Sequence, residues 1–176
     1  YKWQNGEYTL DNQANQLSAA NGYWGGQYNH DWGDYDNDGD LDLVSGGIST
    51  LDGQNYLKIY NNKNGLLSQD TIQNDLLPLF PCATIWININ GDSHLDLITL
   101  GRLGTIGVSY MYINDGDGNM VLDSNQVFDI PSVLHAISSA DFNSDGYEDL
   151  AVSHLDGTEM HTNIYSNDAG NGFSIH

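Results

Sequence analysis

Asp34-Tyr-Asp-Asn-Asp-Gly-Asp-Leu-Asp42-Leu-Val is the stretch on which the reading of this chain turns. Acidic side chains alternate along it, a glycine stands sixth, and an apolar run follows. Two further segments align with it: Asn88-Ile-Asn-Gly-Asp-Ser-His-Leu-Asp96-Leu-Ile and Asp141-Phe-Asn-Ser-Asp-Gly-Tyr-Glu-Asp149-Leu-Ala. Their closing aspartates, Asp42, Asp96 and Asp149, lie 54 and 53 residues apart. A second landmark keeps the same period. A short strand pattern ends in Asn62, Asn114 and Asn167, 52 and 53 residues apart, each followed by an Asn/Asp/Gly turn. Two landmarks in phase establish an internal repeat.

Each repeat reads as short strands. Leu41–Val44, Leu95–Leu100 and Leu150–Val152 are apolar runs after the acidic loop, and Tyr110 and Tyr112 alternate with Met111 and Ile113 at the period of a strand. The turns at Asn62–Gly65, Asn114–Gly118 and Asn167–Gly172 carry hairpin chemistry. Asp70–Leu79, stopped by Pro78 and Pro81, is expected to be a loop or a single helical turn. Repeats of this length with about four strands each predict an all-β chain of tandem four-stranded antiparallel β-propeller blades. Residues 1–15 read as the last strand of a preceding blade, and 16–68, 69–122 and 123–176 as three blades of one repeat region. Three blades fall short of the ~4–8 of a closed ring. Further blades, from a longer chain or a neighbouring subunit, are therefore expected to pack on these. Tyr1–Leu10 is expected to pair with a sheet, in this chain or a neighbour. The opening at Tyr1 suggests a processed or excised piece of something longer.

The charge pattern narrows the partners. The chain has 24 Asp and Glu against 4 Lys and Arg, a formal net charge of −20. Such a surface repels nucleic acid and anionic membrane. No apolar run approaches the ~20 residues of a membrane span. The single cysteine, Cys82, rules out an internal disulfide and reads as a small buried hydrophobe.

Much of the acidity falls in the repeated loops. The spacing D-x-D-x-D-G-x-x-D turns carboxylates toward one point, which suits the ~6–8 oxygen ligands of calcium. The residues read as metal ligands are Asp34, Asp36, Asp38, Asp40 and Asp42 in the first loop, and Asp141, Asn143, Asp145, Tyr147 and Asp149 in the third. Those of the second are Asn88, Asn90, Asp92, His94 and Asp96. Gly39 and Gly146 are expected to take positive φ. The seventh position, Asp40, His94 or Tyr147, can offer only its carbonyl in common. The second loop keeps only two carboxylates and has Ser93 at the glycine position, so calcium is expected in the first and third loops, with the second weak or empty. An EF-hand would need a Glu at loop position twelve and flanking helices, and zinc would need Cys or His clusters; neither is present in the sequence.

These loops, with the flanking Gly33 to Gly47 and Ala140 to Ala151 and the turn Asn114–Asn119, resemble FG-GAP repeats, the integrin-α-like propeller blades also found in bacterial surface proteins and fungal lectins. The resemblance implies calcium in the loop joining the first two strands of a blade. Positions one, three, five and nine would bind by side chain and position seven by backbone. It also implies a secreted or cell-surface protein that binds a protein or glycan.

Three functions follow: a calcium-stabilised extracellular module for adhesion, protein interaction or scaffolding; a lectin-like carbohydrate-binding propeller; and, less favoured, a propeller lyase or hydrolase. Tyr23, Trp24, Trp32 and Tyr35 are read as blade packing. His30, His94, His135, His154 and His161 are the candidates for acid–base work. His94 is expected to point outward, and His135 and His154 to be able to face one another. No G-x-S-x-G nucleophile motif occurs, so no catalytic residue is assigned and an enzyme is not expected.

Overall fold

The computed structural model describes residues 2–9, 29–48, 53–73, 75–79, 83–124, 134–156 and 158–176. Three four-stranded antiparallel sheets carry the repeats. The first has β3 (Asn29–Gly33), β4 (Asp42–Ile48), β5 (Asn55–Lys63) and β6 (Leu66–Gln69) in that order. The second has β7 (Ala83–Ile87), β8 (Asp96–Leu103), β9 (Ile106–Asn114) and β10 (Met120–Leu122). The third has β11 (Leu134–Ala140), β12 (Asp149–Asp156), β13 (Glu159–Asn167) and β14 (Phe173–Ile175). Each sheet is an up-and-down meander, the all-β blade expected from the sequence, and the three sheets do not close into a ring.

A separate hairpin joins β1 (Lys2–Gln4) to β2 (Glu7–Thr9). Asn5 and Gly6 have φ of 53° and 87°, nearly the values of Asn64 and Gly65 between β5 and β6, 56° and 84°. Paired positive φ is the signature of a tight two-residue hairpin turn, which the Asn-Gly dipeptide favours. Within the described residues this hairpin is hydrogen-bonded to none of the four-stranded sheets.

The sheets stack through two cores. Alternation along each strand of the second sheet sends successive side chains to opposite neighbours. Trp86, Leu97 and Tyr112 pack toward the first sheet with Tyr35, Val44, Leu57 and Ile59. Ile85, Ile87, Ile98, Leu100 and Met111 pack toward the third with Leu150, Val152 and Tyr165. The whole of β7 is buried, and it touches the first strands of both neighbours, β3 and β11. First strands therefore lie side by side while each sheet runs outward, the arrangement of propeller blades.

Tyr35 stacks on Trp86 with ring centroids 5.4 Å apart and planes 4° from parallel. That contact needs Gly33, where an added Cβ would meet Leu95 Cδ1 at 2.7 Å and Trp86 Cδ1 at 2.8 Å. Asp31 adds a polar tie, accepting the Trp86 backbone N–H at 2.7 Å. Trp32, by contrast, is 53% exposed and does not pack between blades. It alternates with Asp31 and Gly33, which face the second sheet, so it stands on the opposite face. Tyr23, Trp24 and Cys82 lie outside the described residues. Asp70–Leu79 carries no helix among its described residues. In it the Gln73 carboxamide donates to Gly118 O at 2.7 Å and accepts from Met120 N at 3.0 Å, tying this connection to the second sheet's outer hairpin.

Candidate metal loops and the bonds between blades

The three acidic loops share one backbone scheme. In each, the side chain at position three accepts the N–H of position five, and that of position five accepts the N–H of position seven. Asp34 and Asp141 reach further, accepting the N–H of Gly39 and Gly146 at 3.0 Å. Positions four and six both take positive φ. They are Asn37 (57°) and Gly39 (92°) in the first loop, Gly91 (76°) and Ser93 (71°) in the second, Ser144 (63°) and Gly146 (94°) in the third. The second loop has therefore exchanged its glycine between two left-handed positions and kept the path of the chain. Sequence reasoning placed positive φ at position six alone.

The ninth residue is a hub. Asp42, Asp96 and Asp149 are at most 2% exposed. One oxygen of each accepts the N–H of loop position two, from Tyr35 at 3.2 Å, Ile89 at 2.8 Å and Phe142 at 3.2 Å. The other accepts the N–H of the closing asparagine of the same blade, Asn62, Asn114 or Asn167, each at 2.8 Å. Burial pushes the Asp42 and Asp96 carboxyls up to about 6, against these backbone donors, which work to lower them.

The closing asparagine then fastens one blade to another. The Asn114 amide donates to Leu95 O in its own blade at 3.1 Å and to Tyr35 O of the preceding blade at 2.8 Å. Asn167 repeats this with Glu148 O at 3.3 Å and Ile89 O at 2.9 Å. Their side-chain oxygens accept Gly116 N and Gly170 N and so shape the hairpin turn. Hence the first and second acidic loops are each bonded to the hairpin of the next blade.

The loops differ in how their carboxylates gather. Oxygens of Asp34, Asp36 and Asp42 lie within 4.8 Å of one another. One Asp34 oxygen, Oδ1, is buried without a hydrogen-bond partner. An all-oxygen donor set with an unsatisfied buried carboxylate oxygen fits a hard divalent cation. Among the described residues no other acidic group gathers this closely, so Asp38 and the Asp141, Asp145 and Asp149 set stand further apart.

In the second and third loops an amide replaces the third-position carboxylate and turns inward: Asn90 donates to Asp92 at 2.9 Å and Asn143 to Asp145 at 2.8 Å. At Asp92 burial works to raise the pKa, but the His94 N–H, the Asn90 amide and the His94 ring outweigh it and hold the carboxyl below its ordinary value. The seventh side chains stay out of the loops' centres. Asp40 accepts Asn64 N at 2.8 Å, and Tyr147 leans on Gly91 of the preceding loop. His94 does not point freely outward. Its ring packs beside Gly116, with Nδ1 3.4 Å from Asp92 Oδ1.

The histidines of the third sheet pair differently from expectation. His135 falls at a register irregularity between Leu134 and Ala136, and the residue directly across from His154 on β13 is His161. Their rings stack at 5.7 Å.

Stacked four-stranded meanders, each headed by an oxygen-rich nine-residue loop, define a propeller-like repeat protein. Residues 88–152 match the family model described as FG-GAP-like repeat. The matched segment runs from the second loop through the start of β12. No curated protein matches the chain.

Proposed function

We propose that the chain is a calcium-stabilised extracellular interaction module, with the acidic loops holding the ion and other surfaces engaging a protein partner. The convergence of Asp34, Asp36 and Asp42, with Asp34 Oδ1 buried and unpaired, carries this reading. Calcium there would be held by these carboxylates, with Asp38 and the Asp40 carbonyl completing the first loop's set. The ion would neutralise repulsion between them, and through Asp42 and Tyr35 it would stiffen the contact with the second sheet. The third loop, with Asp141, Asn143, Asp145, Asp149 and the Tyr147 carbonyl, is the second site. The second loop, with Asn88, Asn90, Asp92, Asp96 and the His94 carbonyl, is weak or empty. Repeats of this family are typical of extracellular proteins, and no helix is long and apolar enough to cross a membrane.

The reading is of a binding module and not an enzyme: the buried His154 lies across from another histidine, and the sequence carries no nucleophile motif. Further blades are proposed to pack on the third sheet. Its outward positions Ala136, Ser138 and Ala140 are exposed, where the corresponding Ala83, Ile85 and Ile87 are covered.

A lectin-like role is the second reading. It is favoured by a cleft of about 380 Å³ between the first sheet and the second sheet's hairpin, lined by Asp36, Asn61, Asp70, Gln73, Asp117 and Asn119 among others. Carboxylates and amides of this kind match sugar hydroxyls. Melting the full chain with and without calcium tests the stabilisation, and Asp34→Ala should remove much of any calcium-dependent rise. A glycan array against a panel of extracellular proteins, both in calcium, separates the two ligand classes.

A further inference from the structure

We propose that Arg102, His154 and His161 form an oxyanion-binding site between the second and third sheets, at the strand ends remote from the acidic loops. Its ligand is a carboxylate or sulfate group borne by a partner. This goes beyond the calcium reading and does not depend on it.

Arg102 is the one arginine of a chain with 24 acidic residues. Yet among the described residues it joins no ion pair, and its Nε is buried without a hydrogen-bond partner. On β8 it continues the alternation of Ile98 and Leu100, which pack toward the third sheet. From the facing side, His154 continues the alternation of Leu150 and Val152, which pack toward the second. His154 is 6% exposed, and its Nδ1 is likewise buried and unpaired. His161 lies directly across from it in register and opens to solvent.

Two unsatisfied nitrogens at one interface are costly, because each has given up water without a replacement. An oxyanion would repair both. The guanidinium offers a planar fork that matches carboxylate and sulfate oxygens, and an imidazole protonated at Nδ1 adds a third donor. A metal is the poorer occupant. Ligand atoms of His154, His161 and Glu159 do not gather within 4.8 Å, and a guanidinium on the opposite wall disfavours a cation. Glu159, 3.9 Å from His161 Nε2, is the acid that opposes an incoming anion.

The test titrates the full calcium-loaded chain with sodium sulfate, and separately with sodium acetate, at constant ionic strength in chloride. The imidazole proton resonances of His154 and His161 are followed by NMR. Saturable shifts of both are expected. The anion that saturates first tells a sulfated ligand from a carboxylated one. Arg102→Gln should weaken binding by about tenfold or more. His161→Gln, at a half-exposed position, is the second variant and should weaken it too, whereas Glu159→Gln should tighten it. Shifts that fail to saturate with either anion, or that persist unchanged in both Arg102→Gln and His161→Gln, overturn the proposal. So does saturation by zinc where the anions fail. Calcium-dependent melting, recorded on the same samples, keeps failure here separate from failure of the calcium reading.

Discussion

The side-chain amide of Asn114 donates a 2.8 Å hydrogen bond to the main-chain carbonyl of Tyr35, 79 positions earlier. Asn167 makes the same bond to Ile89, 78 positions earlier. Because Tyr35 N and Asn114 N are in turn held by Asp42 and Asp96, the acidic loops and the blade interfaces are one hydrogen-bonded system. A change in a loop is therefore felt by the next blade.

Asn114→Ala and Asn167→Ala should each destabilise the protein by about 1–3 kcal/mol, since each strips partners from buried backbone carbonyls. Asn62→Ala should cost less, about 1 kcal/mol or under, because the Asn62 amide bonds Leu41 O of its own blade in a solvent-exposed setting. Urea unfolding of the three variants gives the ranking; equal losses would contradict a role between blades.

Gly33→Ala should cost about 1–3 kcal/mol through overpacking, because the new methyl would meet the Trp86 ring and Leu95. Gly39→Ala meets no atom within 4 Å but must hold a φ of 92°, so its cost is backbone strain of about 1–2 kcal/mol. Near-ultraviolet circular dichroism separates the two: Gly33→Ala should alter the tryptophan signal and Gly39→Ala should leave it.

Much of the fold was legible in the spacing of Asp42, Asp96 and Asp149, because a loop that must close on its own backbone tolerates little change in length. Strand faces were legible where alternation was clean, as at Met111 and Tyr112. What was hidden depends on contacts between blades. Nothing local marks Asn114 as a donor to Tyr35, or Trp32 as the aromatic left in solvent. The pairing of His154 with His161 was missed because it rests on the register of β12 with β13, and sequence gave no reason to place the irregularity at His135. The exchange of glycine between Gly91 and Ser93 could have been found, since a loop with glycine at position four in one copy and six in the others implies left-handed backbone at both.

The metal-free protein should lose stability as pH rises from about 4 to about 6. Asp42 and Asp96 have pKa values pushed up to about 6 by burial, against 3.8 as the unperturbed value. In that window the folded state holds protons that the unfolded state has released, so raising the pH favours unfolding. Below about 4 both states are protonated, and above about 6 both are ionised, with the full penalty in place. Thermal melts in chelator across this range check the sign, and a melting temperature that climbs through the window would contradict it.

Asp36→Asn gives the first loop the third-position amide of Asn143 and should lower calcium affinity by removing one charged ligand. Asn88→Asp combined with Asn90→Asp should raise affinity at the second loop by the same logic, while releasing Asp92 from the Asn90 amide. Calcium titrations of the two variants beside the parent chain test both directions.

Calcium titration of the full chain by calorimetry, after exhaustive treatment with chelator, is the most direct test of the central claim. The account predicts two saturable sites, with a third weaker or silent, and a melting temperature that rises with calcium and falls again on adding chelator. No binding heat together with an unchanged melting temperature would contradict it, leaving the Asp34, Asp36 and Asp42 cluster a solvated turn.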